Sequence, residues 1–137
     1  MNKITVPAKI ENLQNVLDFV IKELDSVEYN IKALLQLELS IEEAYVNIAN
    51  YAYESEDGEV LICCNINKNP LQITVQFIDC GIPYNPLKNE NSDISLEIKE
   101  KKVGGLGILL IKKNVDNIAY EYKDGKNILT IQKKLNS

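Results

Sequence analysis

Residues 30–53 constrain the fold most. Leu34, Leu37, Ile41, Ala44, Tyr45, Ile48 and Ala52 recur there at helical spacing, so the segment reads as a long helix with one broad apolar face. That face has to be covered. After the turn Glu54-Ser55-Glu56-Asp57-Gly58 come two runs of strand character, Val60-Leu61-Ile62-Cys63-Cys64-Asn65-Ile66 and Leu71-Gln72-Ile73-Thr74-Val75-Gln76-Phe77-Ile78. Asn67-Lys68-Asn69-Pro70 joins them as a hairpin turn. Alternation at Ile73, Val75 and Phe77 gives the second run one apolar face, as in an antiparallel sheet covered on one side by helices. The expected architecture is an α/β protein of the two-layer α+β sandwich type. Its sheet is mixed, mainly antiparallel, with the helices on one face.

The flanking segments fit that plan. Residues 3–7 alternate as a short strand that Pro7 ends or places at an edge. Leu13, Val16, Leu17, Val20, Ile21 and Leu24 predict an amphipathic helix over 11–25 whose polar side, with Gln14, Asp18, Lys22 and Asp25, faces solvent. Ile108, Leu109, Leu110, Ile111 and Val115 predict a largely buried helix to about Asn114. Residues 117–122 and 127–132 read as a closing hairpin around Asp124-Gly125. With 137 residues and no repeat, low-complexity tract or boundary, a single domain over 1–137 is expected.

Composition excludes several functions. The net charge of −5 gives no footprint for nucleic acid. No apolar run approaches the roughly 20 residues of a membrane span, and the N-terminus lacks the apolar core of a signal peptide. A cytoplasmic protein is expected, with Cys63, Cys64 and Cys80 as buried, reduced thiols. All 15 basic residues are lysines, and histidine is absent. Ser/His/Asp and Cys/His nucleophile systems are therefore excluded, and any catalysis rests on carboxylates, lysines, tyrosines or a bound metal.

Three places carry candidate chemistry. On the long helix, Gln36, Ser40, Glu43, Asn47, Asn50 and Glu54 fall within roughly 80° of one another at 100° per residue. Such a stripe reads as a solvated face or, given its apolar shoulders Leu39, Val46 and Ala44, as polar groups turned into a pocket. Glu43 and Asn47 stack one turn apart and can share a ligand. The second strand ends in Asp79-Cys80-Gly81-Ile82-Pro83-Tyr84-Asn85-Pro86, a rigid turn. Its carboxylate either orders the backbone or accepts a hydrogen bond from a ligand's exocyclic amine. Last comes Gly104-Gly105-Leu106-Gly107-Ile108, which puts three of six glycines before an apolar helix. This is either a flexible loop or a backbone that approaches phosphate at a helix N-terminus. Residues 88–102 before it are charge-rich, as in a lid or a solvated loop.

In this order the three motifs resemble the ATP-binding fold of the GHKL superfamily, shared by gyrase-type ATPases, Hsp90, histidine kinases and MutL. Within it the sequence is most similar to the bacterial anti-sigma factor serine/threonine kinases. The likeness extends to Leu110-Ile111-Lys112-Lys113-x-Val115-Asp116, Tyr120 and Gly125-Lys126-Asn127. It implies ATP as substrate with Mg²⁺ held by the Asn47 side-chain oxygen, and Glu43 as the general base. It further implies Asp79 as the adenine selector, with Gly81 leaving room for the ring. Asn50, Tyr84, Asn85, Lys102, Gly104, Gly105, Leu106, Gly107 and Ile108 would complete the nucleotide site, with Gly105 and Gly107 letting a lid close. The implied partners are a sigma factor and an anti-sigma antagonist protein, with a homodimer possible. Positioning and charge neutralisation carry most of phosphoryl transfer, so the lack of histidine is no obstacle. Two departures bear on turnover. Tyr51 stands where many relatives have histidine, and no arginine is available to the lid. Lys101 or Lys102 replaces its charge but not its bidentate fork. The alternative reading is a nucleotide-dependent protein-binding switch without kinase activity. A Walker-type loop is excluded, because Ile108-Leu109 follow the last glycine in place of lysine and a hydroxyl.

Overall fold

Covering a polar-apolar alternation on one side only requires a single layer of helices, and this is what the chain builds. The computed structural model describes residues 1–53, 56–89 and 107–136. Strand β1 (Asn2–Pro7) leads to helix α1 (Leu13–Glu23) and helix α2 (Ile31–Tyr51). Strands β2 (Glu59–Lys68) and β3 (Leu71–Asp79) follow. Helix α3 (Gly107–Asn114) precedes strands β4 (Asn117–Lys123) and β5 (Lys126–Lys134). The sheet order is β1-β2-β3-β5-β4. All four pairings are antiparallel, so the expected mixed character does not appear among the described residues.

The core lies between the sheet and the helices. Ile62 and Cys64 of β2, Ile73, Val75 and Phe77 of β3, and Leu129 and Ile131 of β5 are buried against Val16, Val20, Leu37, Ile41 and Tyr45. The opposite face is more polar: Gln76 bonds Thr130 at 3.2 Å and Gln132 bonds Thr74 at 3.3 Å across the strands. Asp124 and Gly125 turn the last hairpin with φ of 54° and 77°, the left-handed pair that a two-residue type I′ turn needs. Among the described residues no helix is long and apolar enough to cross a membrane.

Several expectations change in detail. Helix α2 is shorter than the expected 30–53, because Asn30 is its N-cap, accepting from Lys32 N–H at 2.7 Å, and Ala52 its C-cap. Cys63 and Cys64 are buried, and burial pushes the Cys64 thiol up to about 12. Cys80 is exposed instead of buried. The reason is local: β3 stops at Asp79, so Cys80 leaves the sheet at its end. Leu110 also reaches solvent, unlike Ile108 and Ile111.

Tyr45 ties the N-terminal segment to α2. Its ring is fully buried. Its hydroxyl lies 2.9 Å from the Pro7 carbonyl and 2.7 Å from that of Lys9, and it accepts from Lys9 N–H at 3.2 Å. Tyr45→Phe keeps the packing and removes this hub. Urea unfolding of the variant is expected to show a loss of about 1–3 kcal/mol, the cost of stranding part-buried backbone groups.

Candidate functional site

Asp79 is the last residue of β3 and points to the helix side, in phase with Val75 and Phe77. It is only 5% exposed. Gly81 N–H donates to its Oδ1 at 2.9 Å and Asn127 Nδ2 donates to the same atom at 3.0 Å. Oδ2 has no partner among the described residues. No fully buried side-chain oxygen or nitrogen there lacks a partner, so Oδ2 keeps an accessible edge. Burial pushes the carboxyl above its ordinary range, while the bonds from Asn127 and Gly81 pull it back.

Gly81 explains how strand and helix meet. A Cβ on it would lie 2.1 Å from the Ala52 carbonyl oxygen and 2.8 Å from Ala52 Cβ. That carbonyl, left without an intrahelical partner at the end of α2, accepts Ile82 N–H at 2.9 Å. The glycine is therefore demanded by close backbone approach, a reason separate from room for a ring. Tyr53 reinforces the junction: its hydroxyl accepts Cys80 N–H at 2.8 Å and donates to the Glu59 carbonyl at 2.6 Å. Gly58 lies under its ring, where a Cβ would come within 2.3 Å of Cδ1.

Along α2 the polar stripe divides. Gln36 and Ser40 are spent internally. Lys133 Nζ donates to Gln36 Oε1 at 2.7 Å, and the fully buried Ser40 hydroxyl donates to the Gln36 carbonyl at 2.9 Å. Glu43 and Asn47 are half-buried and Asn50 is exposed. None of these three side chains has a hydrogen-bond partner among the described residues. Burial, then the neighbouring Glu42 charge, raises the Glu43 carboxyl. The helix thus presents a carboxylate and an amide one turn apart, on the element whose end is anchored to the Asp79 turn.

Tyr84 and Ile82 are exposed on that turn. Asn85 Oδ1 accepts Leu87 N–H at 2.8 Å, leaving its amide N–H groups for other partners. Gly107 opens α3, which packs on α2, and the Ile108 side chain is in the core. What this segment offers a ligand is its backbone N–H groups, which at a helix start have no intrahelical partner. Lys102, Gly104, Gly105, Leu106, Glu54 and the expected lid from residue 90 on lie outside the described residues.

Asn127 is the residue that sequence reasoning did not assign to the site. It pairs with Asp79 in the β3–β5 register and is 7% exposed. A signal existed: Asn127, Leu129 and Ile131 alternate, so the asparagine is a polar residue at an inward position of a strand. Finding its partner required knowing that β5 lies beside β3.

No group of three His, Cys, Asp or Glu side chains is placed to hold a metal among the described residues. The donor set instead fits Mg²⁺, which takes few protein oxygens and completes its shell with substrate phosphates and water. The Asn47 side chain offers an amide oxygen of that kind.

Residues 6–133 match the family described as the histidine kinase-like ATPase domain. The chain is 26% identical over 126 residues to a protein of Bacillus thuringiensis (strain Al Hakam) named serine-protein kinase RsbW, covering 90% of this chain and 79% of that one. A protein of the same name from Bacillus anthracis is 25% identical over the same span. Among solved structures, the RsbU and RsbW domains of Rv1364c from Mycobacterium tuberculosis superpose with a TM-score of 0.64 at 14% identity. That match covers 98% of this chain and 33% of the other, and it shows a shared fold.

Gly81→Ala is expected to lower the urea midpoint by an amount equivalent to about 1–3 kcal/mol, because the helix terminus has to move for the methyl to fit. Asp79 gives a pH signature. The folded carboxyl binds its proton more tightly than the unfolded one, so stability falls as pH rises from the ordinary aspartate range through the raised value. Asp79→Asn, which keeps an acceptor for Gly81 and Asn127, is expected to lack that component. Parallel unfolding series at stepped acid pH check it.

Proposed function

Because this chain belongs to the histidine kinase-like ATPase domain family, we propose that it binds Mg-ATP and acts as a regulatory serine/threonine protein kinase of the anti-sigma type. In this reading it phosphorylates an anti-sigma antagonist protein and sequesters a sigma factor. The observation that carries it is the frame joining Asp79 to α2. Asp79 has one oxygen committed inside the protein and one left to accept an adenine amine. Through Gly81 and Ile82 it is fixed to the helix that bears Glu43 and Asn47. The names of the relatives support the kinase class.

Each residue has a distinct task. Asp79 selects the base. Asn47 holds Mg²⁺, which when bound neutralises phosphate charge. Glu43, one turn away, accepts the proton from the attacking hydroxyl, a role that its raised pKa favours by moving it toward neutral pH. The backbone N–H groups at the start of α3 face phosphate. A single domain over 1–137, ADP as the alternative bound state, and possible homodimers belong to the same proposal.

The second reading is a nucleotide-dependent binding switch without kinase activity. The arginine-free sequence favours it, since no guanidinium fork is available to clamp the transferred phosphoryl group.

Labelled γ-phosphate transfer from ATP to a cognate antagonist separates the two. Glu43→Gln is expected to reduce transfer about 100- to 10,000-fold, the usual span for a general base, while ATP affinity stays within about threefold. Unchanged transfer would remove Glu43 from the mechanism. Tight ATP binding by the wild type with no transfer to any antagonist would establish the switch. Asp79→Asn, tested for ATP binding alone, is expected to abolish it; negligible binding in the wild type as well would defeat both readings.

A further inference from the structure

Every hydrogen-bonding position of the Asn127 amide is filled by the protein. Its Nδ2 donates to Asp79 Oδ1 at 3.0 Å and to the Ile82 carbonyl at 2.9 Å, with the Gly81 carbonyl a longer third acceptor at 3.4 Å. Its Oδ1 accepts Tyr84 N–H at 3.2 Å and the Tyr120 hydroxyl. A side-chain amide offers two N–H donors and an oxygen with two lone pairs, so nothing remains for a ligand. The orientation of the amide is also dictated. Tyr84 N–H can only donate and the Ile82 carbonyl can only accept, which excludes the flipped amide.

We propose that Asn127 is a positioning residue that makes the site select a 6-amino purine over a 6-oxo purine, by holding Asp79 as a carboxylate with only Oδ2 free. The inference rests on the nucleotide reading above and deepens it. A carboxyl group recognises a donor when ionised and an acceptor when protonated. Burial favours the protonated form of Asp79, and the two N–H donors on Oδ1 oppose it. No cation contributes to its state among the described residues, and the groups beside it are the Tyr53 and Tyr120 phenols and the Cys80 thiol. The ionised form therefore depends on Gly81 N–H and Asn127 Nδ2. An ionised Oδ2 accepts from an exocyclic amine and repels a 6-oxo oxygen. Removing the Asn127 donor lets the carboxyl protonate and donate, which relaxes the choice. Tyr120 acts one step further out: its bond to Oδ1 of Asn127 steadies the amide against Asp79.

The test measures equilibrium binding of Mg-ATP and Mg-ITP, its 6-oxo counterpart, to the full chain. Wild type, Asn127→Asp and Tyr120→Phe are compared. Asn127→Asp sets a second carboxylate against Asp79 and the Ile82 carbonyl. The wild type is expected to prefer ATP by about 100-fold or more, as a site built around a buried polar partner does. Asn127→Asp is expected to bring the ratio within about threefold. Tyr120→Phe, a milder change at a half-buried position that keeps a folded protein available if the first variant does not fold, is expected to lower it about fivefold. A purely structural Asn127 would weaken both nucleotides in proportion and leave the ratio unchanged. An unchanged ratio in the folded variants, with ATP still bound by the wild type, overturns this inference alone. A wild type that binds neither nucleotide overturns the nucleotide reading and this inference together.

Discussion

The contact between Gly81 and the end of α2 is what the candidate site depends on. A helix end needs partners for its last carbonyls, and here one partner is Ile82 N–H, at 2.9 Å from the Ala52 oxygen. Only a residue without a Cβ lets the chain come that close. One hydrogen bond thereby terminates a helix and anchors the turn after a strand. Glu43 and Asn47 belong to the helix and Asp79 to the strand, so their relative placement is inherited from this junction. Tyr53 and Gly58 brace it from the other side, by bonding Cys80 N–H and packing ring against backbone.

Much of the fold was legible because period carries it. Alternation in β3 and β5 and the three-and-four spacing in α2 each report a buried face, and those faces meet as expected. The Asp124-Gly125 turn was legible because a two-residue hairpin requires left-handed backbone there. What period does not carry is which strands are neighbours. Asn127 belongs to the site only because β5 pairs with β3 and sets it opposite Asp79. Lys133 reaches Gln36 across a separation of 97 residues for a similar reason, and this withdraws Gln36 and Ser40 from the polar stripe. Grouping Cys80 with the buried thiols overlooks its place in the turn after the strand, which already puts it outside the sheet, and there it is exposed.

The chemistry available is set by what the composition omits. Without histidine, one way to place a proton acceptor nearer neutral pH is a carboxylate whose environment disfavours charge. Glu43 is such a group, being half-buried with Glu42 beside it. Asp79 is raised by burial as well, but two N–H donors hold one of its oxygens and offset that effect. Two carboxyls of nearly equal intrinsic acidity are thus given different surroundings, one without a hydrogen-bond partner among the described residues and one restrained. This is the condition under which one can carry a proton while the other only recognises a ligand.

The same separation decides how the two functional readings relate. The network that fixes Asp79 runs through Asn127, Tyr120, Gly81 and the turn to Ile82 and Tyr84. None of its bonds passes through Glu43 or Asn47. In the proposed reading, base recognition therefore does not require the proton acceptor, and altering Glu43 leaves the hydrogen-bonded frame around Asp79 standing. A protein that binds nucleotide and changes its partners without transferring phosphate keeps the first set of residues and does without the second. In the proposed reading, the physical difference between kinase and switch lies on one face of α2, around Glu43. The closure of Gly81 on Ala52 is common to both.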